Sequence, residues 1–207
     1  FLIDTTGSMS DEIRQLQDTI YSIADQVSKL STEPQCRYGM VLYRDIYDEY
    51  VTRVYHFTPD VEAFKTSLDT VQANGGGDGP ESMNAGLRDA IEAMEWDHRG
   101  AVRLIFLIAD APPHLDYQEE YTYKVGLFRA VEKGIKIFPL AASGLDDTGE
   151  FVARQLALFT LGRFLFIQYG GGTPHHVDKN DYQPETLDKM IVRLIKEEIQ
   201  PLIAPPK

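Results

Sequence analysis

The chain has 207 residues, of which 43% are hydrophobic, and it carries a net charge of −12. This length and apolar content suit a single α/β domain with a sizeable core. The acidic balance argues against a nucleic-acid partner, because phosphate binding needs a basic surface. The single cysteine, Cys36, excludes an internal disulfide and a thiolate zinc site. No apolar run reaches transmembrane length, so direct insertion into a membrane is not expected.

Apolar periodicity predicts strands that alternate with helices along the whole chain. We predict strands over 1–4, 38–43, 51–57, 102–110, 136–141 and 163–167, and helices over 13–30, 61–71, 80–94, 117–132, 148–159 and 187–195. The second and third strands are placed to form a hairpin. The run 102–110 is almost continuously apolar, which is typical of a parallel strand covered on both faces. The pattern therefore predicts an α/β fold with a doubly wound, mostly parallel central sheet and helices on both faces.

The domain organisation follows from the same pattern. We expect residues 1–200 to form one domain and residues 201–207, with three prolines, to begin a linker. The chain opens inside a strand, so we expect it to belong to a longer protein. The Gly-rich polar segment 169–184 is predicted as a long loop that carries His175 and His176. Two adjacent histidine side chains diverge in an extended loop, so a zinc site is not expected there.

Oxygen donors follow the first strand at alternate positions. Asp4 ends the apolar run, and Thr6 and Ser8 come next, directly before a helix. Hard divalent cations such as Mg²⁺ and Ca²⁺ prefer oxygen ligands of this kind. The segment therefore predicts half of a metal site.

Two further carboxylates are expected at the same edge of the sheet. Asp110 ends the apolar strand 102–110, and Asp78 lies in the glycine-rich break 75–79 before a helix. In open α/β sheets, ligands bind at the carboxyl ends of the strands. If the first strand and strand 102–110 are neighbours, Asp4, Thr6, Ser8, Asp78 and Asp110 converge there, and water would complete an octahedral shell.

Each of these residues also has a purely structural interpretation. Strand-end aspartates form turns, Ser8 can cap the first helix, and Asp78 can stabilise a helix start through the dipole. The glycine run lacks the spacing and the lysine of a phosphate-binding loop. His114 follows Asp110 closely, but we expect it to be a surface residue. We expect the residues that follow the second strand, including Asp45 and Asp48, to form a solvated acidic loop.

The segment from Asp4 to Ser8 resembles the D-x-[S/T]-x-S signature of the von Willebrand factor A (vWA) domain family. In that family, the metal-ion-dependent adhesion site (MIDAS) also takes a threonine from a glycine-rich loop and an aspartate from a later strand end. The resemblance places Asp78 where the family usually has threonine and Asp110 at the later strand end. It covers essentially the whole chain and implies a Rossmann-like fold. The third carboxylate implies stronger cation binding and a metal less attracted to an acidic partner group.

The resemblance implies a metal-dependent protein-binding module, in adhesion or interaction, rather than an enzyme. It implies Mg²⁺, with Mn²⁺ or Ca²⁺ as alternatives. The partner is expected to be a protein that completes the shell with an acidic side chain, or another domain of the parent chain. A metal-dependent phosphoryl or ester hydrolase is the alternative, although no G-x-S-x-G nucleophile elbow is present. The resemblance favours the cell surface, the envelope or secretion, without deciding the compartment.

Overall fold

The computed structural model describes residues 1–77, 79–97, 100–142, 144–167 and 186–200. These residues form a six-stranded sheet flanked by helices. The strands are β1 (Leu2–Asp4), β2 (Tyr38–Tyr43), β3 (Thr52–Thr58), β4 (Arg103–Ala109), β5 (Ile135–Ala141) and β6 (Leu165–Phe166). The helices are α1 (Ser10–Ser28), α2 (Val61–Leu68), α3 (Met83–Arg88), α4 (Tyr123–Glu132), α5 (Asp147–Phe159) and α6 (Leu187–Ile199).

The strand order is β3-β2-β1-β4-β5-β6. Every pair of neighbours is parallel except β2 and β3, which form the predicted antiparallel hairpin. Strand β1 lies in the middle, where Leu2 pairs with Val41 of β2 and with Leu107 of β4. The predicted doubly wound, mostly parallel sheet is therefore confirmed.

Successive side chains of a strand point to opposite faces of the sheet, and two apolar cores result. Ile3 packs into the core beneath α1, α2 and α6, whereas Leu2 packs into the core beneath α3, α4 and α5. Strand β4 divides in the same way, with Phe106 on the first face and Leu107 on the second. This double burial explains the nearly continuous apolar sequence of β4.

Two predicted helices begin later than expected, and both differences concern the loops beside the candidate site. The helix predicted from 117 begins at Tyr123, because the preceding segment folds back on its own loop and contacts α3 instead. The Tyr117 ring stacks on the ring of His114, and Glu119 accepts a hydrogen bond from Asn84. The helix predicted from 80 begins at Met83, because the residue before Ser82 forms a parallel bridge with Pro113.

Two other predictions concern segments outside the described residues. The predicted loop 169–184 with His175 and His176 and the predicted linker 201–207 lie wholly outside the described residues. Within the described part of the chain, no helix combines the length and the apolar character that crossing a membrane requires.

Candidate metal centre

Asp4 and Asp110 lie at the carboxyl ends of two neighbouring strands, as the sequence predicted. Asp4 is the last residue of β1, and Asp110 follows the last residue of β4. The two strands pair in parallel through Ile3 and Ile108. Both carboxylates therefore lie at one edge of the sheet, where open α/β folds place their ligands.

The Asp4 carboxylate is fully buried and only half satisfied. Its Oδ1 accepts hydrogen bonds from the Thr6 backbone N–H at 3.0 Å and from the Thr6 hydroxyl at 2.7 Å. Its Oδ2 has no hydrogen-bond partner among the described residues. The Tyr43 hydroxyl lies close enough to favour the charged carboxylate, but the pair does not meet hydrogen-bond geometry. Burial raises the pKa of Asp4 to about 7, against the effect of the Thr6 hydrogen bonds.

The Asp110 carboxylate is half-buried and lies beside Ser8. A single 3₁₀ turn, Gly7–Met9, separates β1 from α1 and leaves Ser8 exposed at the rim. Burial raises the pKa of Asp110, while the Ser8 side chain acts in the opposite direction. The Oδ1 of Asp110 is buried without a partner in the described part of the chain. Asp4 and Asp110 thus each present one buried, unpaired oxygen.

The glycine-rich loop packs directly against the turn after β1. The backbone N–H of Gly7 donates to the carbonyl of Gly75 at 3.1 Å, and Gly76 donates to the Asp48 carboxylate. Gly76 has a φ of +76°, and a Cβ there would lie 2.8 Å from the Cβ of Thr6. Only glycine accommodates both this backbone conformation and this close approach. Asp78 itself lies outside the described residues, so its role stays a prediction.

Glu81 is the site residue that the sequence analysis missed. Its side chain is only 3% exposed, and its Oε2 has no hydrogen-bond partner in the described ranges. Burial, followed by the charge of Asp4, raises the pKa of Glu81 to about 9. The sequence did carry a signal for Glu81, an acidic residue just before α3. The prediction instead used Asp78, because Asp78 lies within the glycine run.

An open pocket of about 390 Å³ connects these side chains. Its walls come from four loops: Thr6, Gly7 and Ser8; Gly75, Gly76, Gly79 and Glu81; Asp110, Ala111 and Pro112; Gly144 and Asp146. Three of the four predicted site residues that the structure describes line this pocket, and the fourth, Asp4, is buried beside Thr6.

A second polar cluster, formed by Asp45, Ser82 and His114, lies among the loops next to the pocket. It corrects two expectations from the sequence. His114 is 5% exposed and Asp45 is 4% exposed, so neither is the surface residue that the sequence suggested. Nδ1 of His114 lies 2.8 Å from Asp116, and its Nε2 faces Asp45 at 3.5 Å. Asp45 also accepts a 2.9 Å hydrogen bond from Ser82. These contacts join the loop after β2, the residue before α3 and the loop after β4. Both side chains are therefore enclosed between the three segments.

The donor set fits a hard divalent cation better than a soft one. The unpaired buried atoms of Asp4, Glu81 and Asp110 are all carboxylate oxygens, with the hydroxyls of Thr6 and Ser8 beside them. Within the described ranges, no three His, Cys, Asp or Glu side chains are grouped closely enough to hold an ion by themselves. A cation here would therefore depend on hydroxyl groups and water as well as on carboxylates.

Comparison with known proteins agrees with the architecture. Residues 1–144 match the von Willebrand factor A domain family. The chain is 30% identical over 116 residues to alpha-protein kinase vwkA of Dictyostelium discoideum, a match over 55% of this chain and 18% of that protein. The chain thus spans only a small part of this relative. The fold resembles BatB of Bacteroides thetaiotaomicron, with a TM-score of 0.64, 14% identity and 96% of both chains covered. With a family match over more than half of its residues, the chain belongs to the von Willebrand factor A domain family.

Proposed function

We propose that this domain is a protein-interaction module whose binding depends on one divalent cation in a MIDAS-type site. The cation is Mg²⁺, with Mn²⁺ or Ca²⁺ as alternatives. Its ligands are Asp4, Thr6, Ser8 and Asp110, some of them through water, and Asp78 is the fifth residue on the sequence prediction. The module uses this site for recognition and not for catalysis.

The observation that carries the proposal is the pair of unpaired carboxylate oxygens on Asp4 and Asp110. Burying a carboxylate without a partner is unfavourable, and a bound cation removes that cost. The Thr6 hydroxyl donates its hydrogen to Asp4, so its oxygen lone pairs remain available to a metal. A bound ion would therefore give the unpaired oxygens of Asp4 and Asp110 the partner that they otherwise lack.

The open side of the pocket is where a partner would bind. Mg²⁺ keeps several waters when a protein supplies only some of its ligands, and an acidic side chain can replace one of them. The partner is a protein that offers such a group, or another domain of the parent chain. The similarity to a short part of a protein named as a kinase is compatible with a module inside a larger chain.

The hydrolase alternative finds no specific observation in its favour. Such a reaction needs a general base within reach of the cation and its water. His114 is the nearest histidine in sequence, but it is buried against Asp45, Asp116 and the Tyr117 ring. Turnover of a generic phosphate ester by the Mg²⁺-loaded domain would contradict our proposal.

Calorimetric titration with Mg²⁺, Mn²⁺ and Ca²⁺ tests the metal site. We expect the wild-type protein to bind one ion and Asp4→Ala to bind none, because Asp4 is the most deeply buried ligand. Asp11→Ala is the matched control: Asp11 has a side chain 80% exposed on α1, so cation binding should be unchanged. Equal binding by wild type and Asp4→Ala, with both folded by circular dichroism, would disprove the assignment.

Partner chemistry is testable with acetate as the simplest analogue of an acidic side chain. We expect acetate to change the electron paramagnetic resonance spectrum of the Mn²⁺-loaded protein, because a carboxylate enters the metal shell. The buffer-matched Asp4→Ala protein should show only the spectrum of free Mn²⁺. A spectrum that acetate leaves unaltered would count against recognition through an acidic group.

A further inference from the structure

The outer face of α4 and α5 carries large apolar side chains that are exposed. Phe128 of α4 and Phe159 of α5 contact each other edge to face, with ring centroids 6.4 Å apart. The other members lie along the same two helices, and the whole set is between 38% and 71% exposed. We call this set the α4–α5 patch: Val125, Phe128 and Val131 on α4, with Phe151, Leu158 and Phe159 on α5.

The α4–α5 patch is large for the surface of a monomeric protein. Its side chains expose roughly 600 Å², taking about 150–250 Å² for a whole aromatic side chain. The largest apolar patch of a typical monomer covers about 300–600 Å². A standard protein interface removes about 800 Å² from each partner, so the patch and the polar residues around it provide enough surface for one.

The charges on the two helices favour a second copy of the chain as the partner. The chain has a net charge of −12, yet α4 and α5 together are neutral. Each helix contains one internal pair of an arginine and a glutamate. Lys124 adds one positive charge to α4, and Asp147 adds one negative charge to α5. Two copies that pack α4 on the partner's α5 therefore match opposite charges, although the acidic chains repel each other elsewhere.

We propose that the α4–α5 patch is a homodimer interface in which α4 of each protomer packs on α5 of its partner. Both helices connect parallel strands, so both run from the carboxyl edge of the sheet toward the amino edge. A two-fold axis parallel to the helices places α4 on the partner's α5, whereas a two-fold axis perpendicular to them places α4 on α4. The parallel axis also keeps the carboxyl edges of both sheets at the same end of the dimer.

The dimer presents two carboxyl-edge pockets in the same direction. A ligand with two suitably spaced acidic groups would engage both protomers, and the second contact would gain from the effective concentration that the first provides. This consequence alone rests on the proposed function. The interface itself does not depend on it, because the patch and the pocket have no residue in common.

Sedimentation velocity over a range of micromolar concentrations tests the interface. We expect the wild type to form a dimer equally in Mg²⁺ and in chelator, so failure of the metal site would leave this result unchanged. Leu158→Glu places a charge in the apolar interface and should raise the dissociation constant by at least about a hundredfold. Tyr47→Glu is the matched control, since it adds the same charge at a side chain 91% exposed outside the patch. It should dimerise like the wild type.

The substitutions should affect association and not folding. Leu158 is 71% exposed in the single protomer, so the stability of the protomer should change little, and circular dichroism checks that each variant is folded. A wild type that stays monomeric at all concentrations would overturn the proposal. So would a folded Leu158→Glu variant that dimerises as tightly as the wild type.

Charge reversal tests how the helices are paired. Lys124→Glu makes both helices net negative and Asp147→Lys makes both net positive, so each change alone should weaken the dimer by about threefold or more. The double variant again has opposite charges on α4 and α5 and should dimerise like the wild type. Packing of α4 on α4 brings like charges together in all four proteins. Single variants that match the wild type, or a double variant that does not recover, would therefore overturn the proposed packing.

Discussion

The two ends of the central sheet have opposite chemistry. At the carboxyl edge, a pocket of about 390 Å³ is lined by carboxylates, hydroxyls and glycines. At the amino edge, a pocket of about 480 Å³ is lined mainly by apolar and aromatic residues, including Phe57, Trp96 and Ile199. The polar groups of the carboxyl edge remain partly unsatisfied, whereas the aromatic rings of the amino edge pack on one another, as Phe57 does on Trp96.

This contrast indicates which changes we expect to affect stability and which we expect to affect ion binding. Packed aromatic and aliphatic side chains stabilise the fold wherever they lie, and no ion changes their contribution. Buried carboxylates without partners destabilise the fold until something binds them. We therefore expect changes in the apolar core to act on folding alone and changes at the carboxyl edge to act through the cation.

The largest effect is expected in the core. Phe106 is 5% exposed and stacks between Phe1 and Phe138, with ring centroids 5.8 and 5.7 Å away. Phe106→Ala should lower the free energy of unfolding by about 3–5 kcal/mol in urea denaturation, equally with Mg²⁺ and with chelator. The control Phe128→Ala removes a ring that is 60% exposed and should cost about 0.5 kcal/mol or less. Recovery of the wild-type unfolding free energy in Phe106→Ala on addition of Mg²⁺ would contradict the separation between core packing and ion binding.

A smaller effect is expected from the cation itself. Mg²⁺ at a hundred times its dissociation constant should add about 2.7 kcal/mol to the free energy of unfolding, because it binds only the folded state. Chelator should lower the melting temperature without unfolding the domain, since neither apolar core contains the site. Asp4→Ala should melt identically under both conditions.

The cation effect should also grow with pH. Asp4 and Glu81 have pKa values raised from 3.8 to about 7 and from 4.5 to about 9. The folded state therefore holds their protons more tightly than the unfolded state, and this stabilisation is complete below about pH 4. It is lost as the pH rises through 7 and 9. In chelator the melting temperature should fall across this range, and the shift caused by Mg²⁺ should be larger at pH 8 than at pH 5. Equal melting-temperature shifts on addition of Mg²⁺ at pH 5 and pH 8 would contradict the inference that the cation binds these buried carboxylates.

The smallest effect is expected at Asp78. Asp78→Thr removes one negative charge near the predicted cation and should weaken Mg²⁺ binding by up to about tenfold. The neighbouring Gly77 and Gly79 are exposed, with no atom within 4 Å of an added Cβ, so the fold should remain intact. Calorimetry of Asp78→Thr measures the change in Mg²⁺ affinity, and thermal melting checks that the variant is folded. Unchanged or tighter binding would remove Asp78 from the site and leave Glu81 as the acidic residue of that loop.

Sequence reasoning succeeded where the signal was local. The apolar runs that end in Asp4 and Asp110 predicted two buried strands, and both strands are present. Thr6 and Ser8, which were predicted as oxygen ligands beside Asp4, line the pocket, and their role as metal ligands stays a prediction. The apolar pattern also predicted the positions of the strands and the hairpin of β2 and β3. These features depend on neighbours in sequence and on the rule that parallel strands share an edge.

The remainder depends on contacts that no local pattern carries. Glu81 belongs to the site because its backbone bridges to Pro113, and His114 is buried because it meets Asp45 and Tyr117. The hydrogen bond from Asn84 to Glu119 is a further long-range contact, and it involves the segment that was predicted to be helical before α4. Polar residues in loops have no periodicity, so their burial becomes visible only once the loops are placed together.

The central position of β1 also determines when the site can exist during folding. This strand opens the chain, yet Leu2 pairs with Val41 on one side and with distant Leu107 on the other. Two long chain closures must precede the meeting of Asp4 and Asp110, and closures of this kind slow folding. In an unfolded chain, the segment from Asp4 to Ser8 is therefore far from Asp110. We therefore expect the proposed cation to bind only after the sheet has formed, so that it stabilises the folded state without directing the folding of the chain.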